Sequence, residues 1–251
     1  MIYREFLAFL LAPLMAVSVA LFLLRHRHTD GDLVRQLTPI GLLAVVAVFY
    51  TAPWDGWIIR NSVWSYPPGS IWGTIADVPL EEYVFMIGQT VVTGLWTLTT
   101  ATAAPEWPAA AGGGAGRRTW HAVSWLLAAA VGAVAATVHS GSLYAGSMLA
   151  WFGPPLALQA AVGADVLRSA RVHRLLALLP TPVFWAADAI AIHADAWRIS
   201  PDHTSGVVVL GLPVEEVAFF LLTNMLIVNS LILLNTPAIR DRLRPKRSVS
   251  I

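Results

Sequence analysis

The sequence predicts an all-α integral membrane protein of seven transmembrane helices, arranged as a 3+1+3 parallel internal repeat. Three observations lead there. Of the 251 residues, 57% are hydrophobic and only 12% charged, where a soluble domain carries about 25% charged residues. Seven stretches are apolar over the roughly 20 residues needed to cross a hydrocarbon core. Finally, the motif "PLEEYVF" at 79–85 recurs as "PVEEVAF" at 213–219.

The first span, 5–24, is too long for a signal-peptide core, and Arg4 is offset by Glu5, so it reads as a retained helix. The second, 37–53, runs up to the Trp54-Asp55 pair. The third, 78–100, opens on Glu81 and Glu82. Residues 102–118, "TAAPEWPAAAGGGAGRR", are rich in Ala, Gly and Pro and predict a flexible linker. Their "GGGAG" lacks the Lys-Ser/Thr that a phosphate loop needs. The fourth span is 120–138. The fifth, 143–164, contains "FGPP" at 152–155, and the sixth, 175–193, contains "PTP" at 180–182. The seventh, 207–234, opens on Glu215 and Glu216. The domain reading is a first three-helix repeat (1–101), a linker (102–118), a connecting helix (119–138), a second three-helix repeat (139–238) and a basic cytoplasmic tail (239–251).

Basic residues orient the chain. With the N-terminus outside, the cytoplasmic segments hold 13 of the 16 Lys and Arg residues, leaving Arg4, Arg60 and Arg198 outside. The expected location is the plasma membrane, multi-pass, with the C-terminus in the cytoplasm. There are no cysteines, which excludes disulfides and thiolate chemistry. The only lysine is Lys246, in the tail, so no lysine Schiff base forms within the spans.

The two halves align beyond the acidic motif. "WDGWIIRNSVW" from Trp54 matches "ADAIAIHADAW" from Ala187, pairing Asp55 with Asp188 and Trp64 with Trp197. The polar pair Gln89-Thr90 matches Thr223-Asn224. A three-span unit repeated directly would be inverted, because three is odd. The intervening fourth span restores its orientation, so both acidic motifs face one side, across a central cavity in the outer half of the bilayer.

A first-turn carboxylate preceded by Pro is an ordinary helix start, with Pro at N1 and Glu81 or Glu215 at N3. Capping needs one glutamate, however, and each copy keeps two, plus an aspartate at the end of the preceding span. Ionisable groups in spans are costly and by default functional. Successive helical residues turn by about 100°, so Glu82, Phe85 and Gln89 share a face, as do Glu216, Phe219 and Thr223. An aromatic beneath a carboxylic acid keeps water away and offers a π-face to a cation.

Trp54, Trp57, Trp64, Tyr66, Trp72, Trp185 and Trp197 all fall near the outer interface, where aromatic belts are normal. Trp64 and Trp197 stand apart because they hold equivalent repeat positions. His193, Asp195 and His203 cluster near the end of the second repeat, but no metal-ligand motif occurs there and no metal is expected.

Two P-x-E-E-x-x-F motifs, each preceded by an Asp-bearing span end and a Trp-bearing loop, resemble the membrane-integral lycopene cyclases. In that family two short three-span chains act as a heterodimer in some bacteria and are fused elsewhere, and this chain resembles the fused bacterial form. The resemblance implies a cyclase acting on lycopene or a related linear carotenoid, forming β-ionone rings without net redox change and with no cofactor. A carboxylic acid would protonate C2 of the terminal alkene. The C1 cation would be attacked by the C5=C6 bond, and C6 would then lose a proton. Glu82 and Glu216 are favoured as the groups nearest the polyene. Glu81 and Glu215 would cap and tune them, and Asp55 and Asp188 would act as partners or proton relay. Phe85, Phe219, Trp64, Trp197, Gln89 and Thr223 would line the substrate. Membrane lipid surrounds the spans, no nucleic-acid partner is expected, and a homo-oligomer or contact with other carotenoid enzymes is compatible with the reading.

Two rivals stand beside it. One is a 3+1+3 transporter using the paired carboxylates as a proton relay, with "FGPP" and "PTP" as candidate helix breaks. The other is a non-catalytic membrane partner whose acids pair with Arg60 and Arg198.

Overall fold

The computed structural model describes residues 2–26, 33–101 and 114–243. Its elements are α1 (Tyr3–His26), α2 (Leu33–Arg60), α3 (Leu80–Ala101), α4 (Gly114–Val138), α5 (Leu143–Ser169), α6 (Arg171–His193), α7 (Val214–Asn235) and the short α8 (Pro237–Leu243). Among the described residues, six helices are long and apolar enough to cross a membrane: α1, α2, α3, α4, α6 and α7. The protein is therefore an all-α membrane protein. The 27-residue α5 is about 40 Å long at 1.5 Å per residue, but its glycines, prolines and Gln159 dilute its apolar character. It is not one of the six.

Several boundaries differ from the sequence expectation. Helix α2 continues through Pro53 to Arg60, so Asp55 lies within a helix and not at a span end. Helices α3 and α7 start later than expected because the residues before them form hairpins. Thr74–Ile75 pairs with Val78–Pro79, and Val208–Val209 with Leu212–Pro213. Both hairpins turn through two residues of positive φ, Ala76-Asp77 and Leu210-Gly211, the backbone twist that suits a tight hairpin. Held in a strand, Pro213 becomes the N-cap of α7. Glu81 and Glu215 thus sit at the second helical position and Glu82 and Glu216 at the third, each one place nearer the helix start than the Pro-first reading gave.

The expected linker is shortened from its far end: 102–113 lie outside the described residues, while Gly114–Arg118 already belong to α4. The two candidate breaks behave differently. "PTP" interrupts α6 with a turn at 178–180, since Pro180 cannot donate to the helix ladder. "FGPP" stays helical within α5, whose departure from helical geometry is at Gly163. Arg27, Arg244, Lys246 and Arg247 from the orientation argument lie outside the described residues.

Helices α4 and α5 form a hairpin packed through small residues. A Cβ on Gly132 would lie 2.6 Å from the Gly146 carbonyl oxygen, and one on Gly146 2.7 Å from Ala136 N. Such close approach is how apolar helices gain packing where no hydrophobic drive separates them from lipid. On its far side α4 exposes Trp120, Leu127, Val131 and Val138. Between α3, α6 and α7 lies a polar tie. Gln89 Nε2 donates to Asn224 Oδ1 (3.0 Å), Thr93 Oγ1 to the same oxygen (2.9 Å), and Asn224 Nδ2 to Thr181 Oγ1 (2.9 Å).

Candidate active site

The loops ahead of α3 and α7 meet in a third strand pair, Trp64↔Ile199 and Ser65↔Arg198. Ser200 N adds a bond to the Val63 carbonyl (2.8 Å). This clasp brings the first turns of α3 and α7 together beneath the loops. Helix α1 closes the third side, its Tyr3 N–H donating to the Ser70 carbonyl (3.3 Å).

Asp55, Glu81, Glu82, Asp188, Glu215 and Glu216 are each at most 9% exposed, so water solvates none of them freely. None takes part in an ion pair among the described residues. Arg60 instead reaches Asp77 (2.8 Å) and Arg198 reaches Asp195 (2.6 Å), both at the surface. That removes the cations the non-catalytic rival needed. The Arg198 guanidinium holds the Asp195 carboxyl below its ordinary pKa, which ties up one member of the His193–Asp195–His203 group.

The two glutamates of each pair do different work. Glu82 Oε1 accepts from the Tyr66 hydroxyl (2.7 Å) and Glu216 Oε1 from the Tyr144 hydroxyl (2.7 Å). Glu81 Oε1 accepts from the Trp72 backbone N–H (2.7 Å) and Glu215 Oε1 from that of Ser205 (2.7 Å). The outer members therefore pin the preceding loops instead of capping their own helices. The second oxygens of Glu81 and Glu215, and one oxygen each of Asp55 and Asp188, are buried without a partner. Asp188 keeps one bond, from Trp197 Nε1 (3.2 Å). Lost water, with Glu82 beside it, pushes the Tyr66 phenol well above its ordinary pKa, so it remains a donor.

Glu82, Glu216 and Asp188 line one small cavity of about 30 Å³, about the size of one water. Phe85, Phe219, Trp64 and Trp197 line it too, with Tyr3, Tyr66 and Phe220. Glu82, Phe85 and Phe219 are shared with a second cavity of similar size, which adds Asp55, Gln89 and Thr223. All the expected substrate-lining residues thus come to one place, while Glu81 and Glu215 line neither cavity. The Gln89 amide is committed to Asn224, whereas the Thr223 hydroxyl is buried without a partner.

Aromatic faces enclose these carboxyls. Trp197 packs on Tyr3 and Phe6 (4.8 and 4.9 Å between ring centroids), and Trp64 on Tyr144 and Phe219 (both 5.8 Å). Trp54 is not a belt residue: it is 3% exposed and stacks on Phe219 (6.0 Å, 15°). Trp72, at 59% exposed, does face outward. The sequence reading did not single out Tyr3 and Tyr144, and placed Tyr66 in the belt. A signal existed, since Tyr3 and Tyr144 each stand at the head of the first helix of their half.

A lycopene cyclase family model matches the chain over residues 3–98 and 141–234. A lycopene beta-cyclase of Halobacterium salinarum is 41% identical over 234 residues, 92% of this chain and 94% of that protein. A bifunctional lycopene cyclase/phytoene synthase of Sporisorium reilianum is 34% identical over 239 residues, 91% of this chain but 34% of that longer protein. One of the same description from Leptosphaeria maculans is 37% identical over 210 residues, 75% of this chain and 34% of that protein. No solved structure matches the chain. With the family model covering both motif-bearing halves, and a relative this similar matched almost end to end, the chain belongs to the lycopene cyclase family.

Proposed function

We propose that this protein closes rings, β-ionone in type, at the ends of lycopene. The observation that carries the reading is the pair Glu82 and Glu216, each held by one tyrosine hydroxyl at 2.7 Å in one aromatic-walled cavity. An alkene is a very weak base, so its acid must be oriented, dry and close to a group that can take the proton back. Buried carboxyls with no cation nearby cannot all carry charge out of water, so protons are retained among them. One carboxylic acid delivers a proton to C2 of the terminal alkene. The C5=C6 bond then attacks C1, and a neighbouring carboxylate removes the proton from C6. Atoms and electrons balance, since the ring is an isomer of the open end. Aromatic faces of Trp54, Trp64, Phe85 and Phe219 stabilise the intervening cation and exclude water.

The membrane arrangement belongs to the same proposal. Helix α5 also crosses the membrane, bringing the six spans to seven, and α1–α3 and α5–α7 are the two three-helix units. Helix α4 joins them, which accords with the family model omitting residues 99–140. The N-terminus and acidic clusters face outward and the basic ends face the cytoplasm of a plasma membrane. A transporter is the weaker reading, because the relatives' names speak of cyclases.

The test is to express the chain in cells that accumulate lycopene, and to assay purified protein in lipid with lycopene alone. Cyclic carotenoid should form in both, without added flavin or nicotinamide. Unchanged lycopene despite abundant membrane-inserted protein would overturn the reading.

A further inference from the structure

The two halves share their motifs but not their access. Beside the Asp55–Glu82 half, an apolar chamber of about 420 Å³ lies between α2, α5 and α7, within the usual range for ligand pockets of about 300–1,000 Å³. Its outer lip includes Val46 and Leu158, 51% and 65% exposed, which face lipid if these helices span. Tyr50 and Trp151 bridge α2 and α5 there, exchanging side-chain donors for each other's backbone carbonyls (2.7 and 3.1 Å). At its inner end the chamber shares Ala47, Thr51 and Thr223 with the small cavity that holds Asp55 and Glu82.

The second half is filled at the equivalent positions. Thr51 precedes Asp55 by one helical turn, and the residue one turn before Asp188 is Phe184. Met86 follows Glu82 by a turn, and the residue a turn after Glu216 is Phe220. Phe184 and Phe220 stack at 5.9 Å and 5°, 2% and 4% exposed. Phe85 packs edge-on against both (6.1 Å each). Where the first half leaves a neck, the second holds a plug.

We infer that a linear polyene enters sideways from the bilayer between α2 and α5. It lies in this chamber and presents its end from the Asp55–Glu82 side alone, where Glu82 also borders the cavity it shares with Glu216, so rings form one end at a time. The inference rests on the cyclase reading above. It adds where the chain of the substrate lies and which half it reaches.

Thr51→Phe copies the plug into the open half. Ring formation per folded protein should fall by roughly 10²-fold, as expected when a reacting end cannot be positioned. Wild-type activity in folded Thr51→Phe would overturn the chamber, and a loss of only about two-fold, as two independent entrances would leave, would overturn the single entrance. A wild-type chain inactive on lycopene would instead strike the cyclase reading itself.

A second measurement needs no turnover. The chain has no cysteine, so Leu226→Cys places a lone thiol in the chamber wall and Val131→Cys one on the outer face of α4. With lycopene at about ten times its dissociation constant, labelling of the first by an apolar maleimide should slow roughly ten-fold, and that of the second should not change. Equal labelling rates at Leu226→Cys with and without lycopene would overturn the proposal even if Thr51→Phe does not fold.

Discussion

Glu81 and Glu82 are adjacent, yet their environments assign them different work, and so it is for Glu215 and Glu216. The inner pair meets tyrosine hydroxyls and the shared cavity, and the outer pair meets loop N–H groups. Replacing acid by amide keeps shape and acceptor oxygen but removes the transferable proton. Glu82→Gln and Glu216→Gln should leave inserted, folded protein with ring formation reduced about 10²-fold or more, the scale of general acid catalysis. Tyr66→Phe and Tyr144→Phe remove one hydrogen bond each and should cost roughly ten-fold. Glu81→Ala and Glu215→Ala instead remove the acceptor that pins a loop N–H, costing about 1 kcal/mol. They should lower the thermal midpoint more than the turnover of what remains folded. Product per unit of folded protein across this series is the measurement. Near-wild-type rates in both inner variants would refute carboxyl protonation.

At the scale of elements, the α4–α5 hairpin shows how contact is made when both helices are apolar. Gly132 and Gly146 let the backbones approach so closely that a Cβ on either has no room. Gly132→Leu should therefore force the helices apart, with a penalty of about 1–3 kcal/mol or more from overpacking. None of the acidic or aromatic site residues is on α4, so turnover per folded molecule should persist while the unfolding midpoint of detergent-solubilised protein drops. An unchanged midpoint would show that the hairpin is held by something else. The strand pairs ahead of α3 and α7 play the opposite part: they are short and locally weak, but they fix where each acidic turn begins.

For the molecule as a whole, charge separation goes with orientation. Arg118 and Arg242 converge on Asp165 (3.6 and 2.8 Å), at the ends of α4, α5 and α8 remote from the acidic turns. In the proposed orientation this basic end is the cytoplasmic one. A reporter fused after Ile251 should be active only in its cytoplasmic form, and one inserted near Ser200 only in its external form. The reverse pattern would move both acidic clusters to the cytoplasmic side.

The sequence by itself determined the membrane class, six of its seven expected spans approximately, and the duplicated acidic motif. Apolar length, basic asymmetry and repeated spacing are one-dimensional properties. It also placed Glu82, Phe85 and Gln89 on one helix face, because helical pitch is local. It missed Tyr66 and Tyr144 as carboxyl partners and Tyr3 as a cavity wall, and took Trp54 for a belt residue. Those assignments depend on which side chains long-range packing brings within about 3 Å of an oxygen. Helical pitch also favoured Glu82 and Glu216 over their neighbours, but it could not show that Glu81 and Glu215 accept from loop N–H groups, which depends on how the loops fold back. That Phe184 and Phe220 plug one half while Thr51 leaves the other open was likewise decided only in the tertiary structure. There, aligned positions of two similar halves fill unequal space.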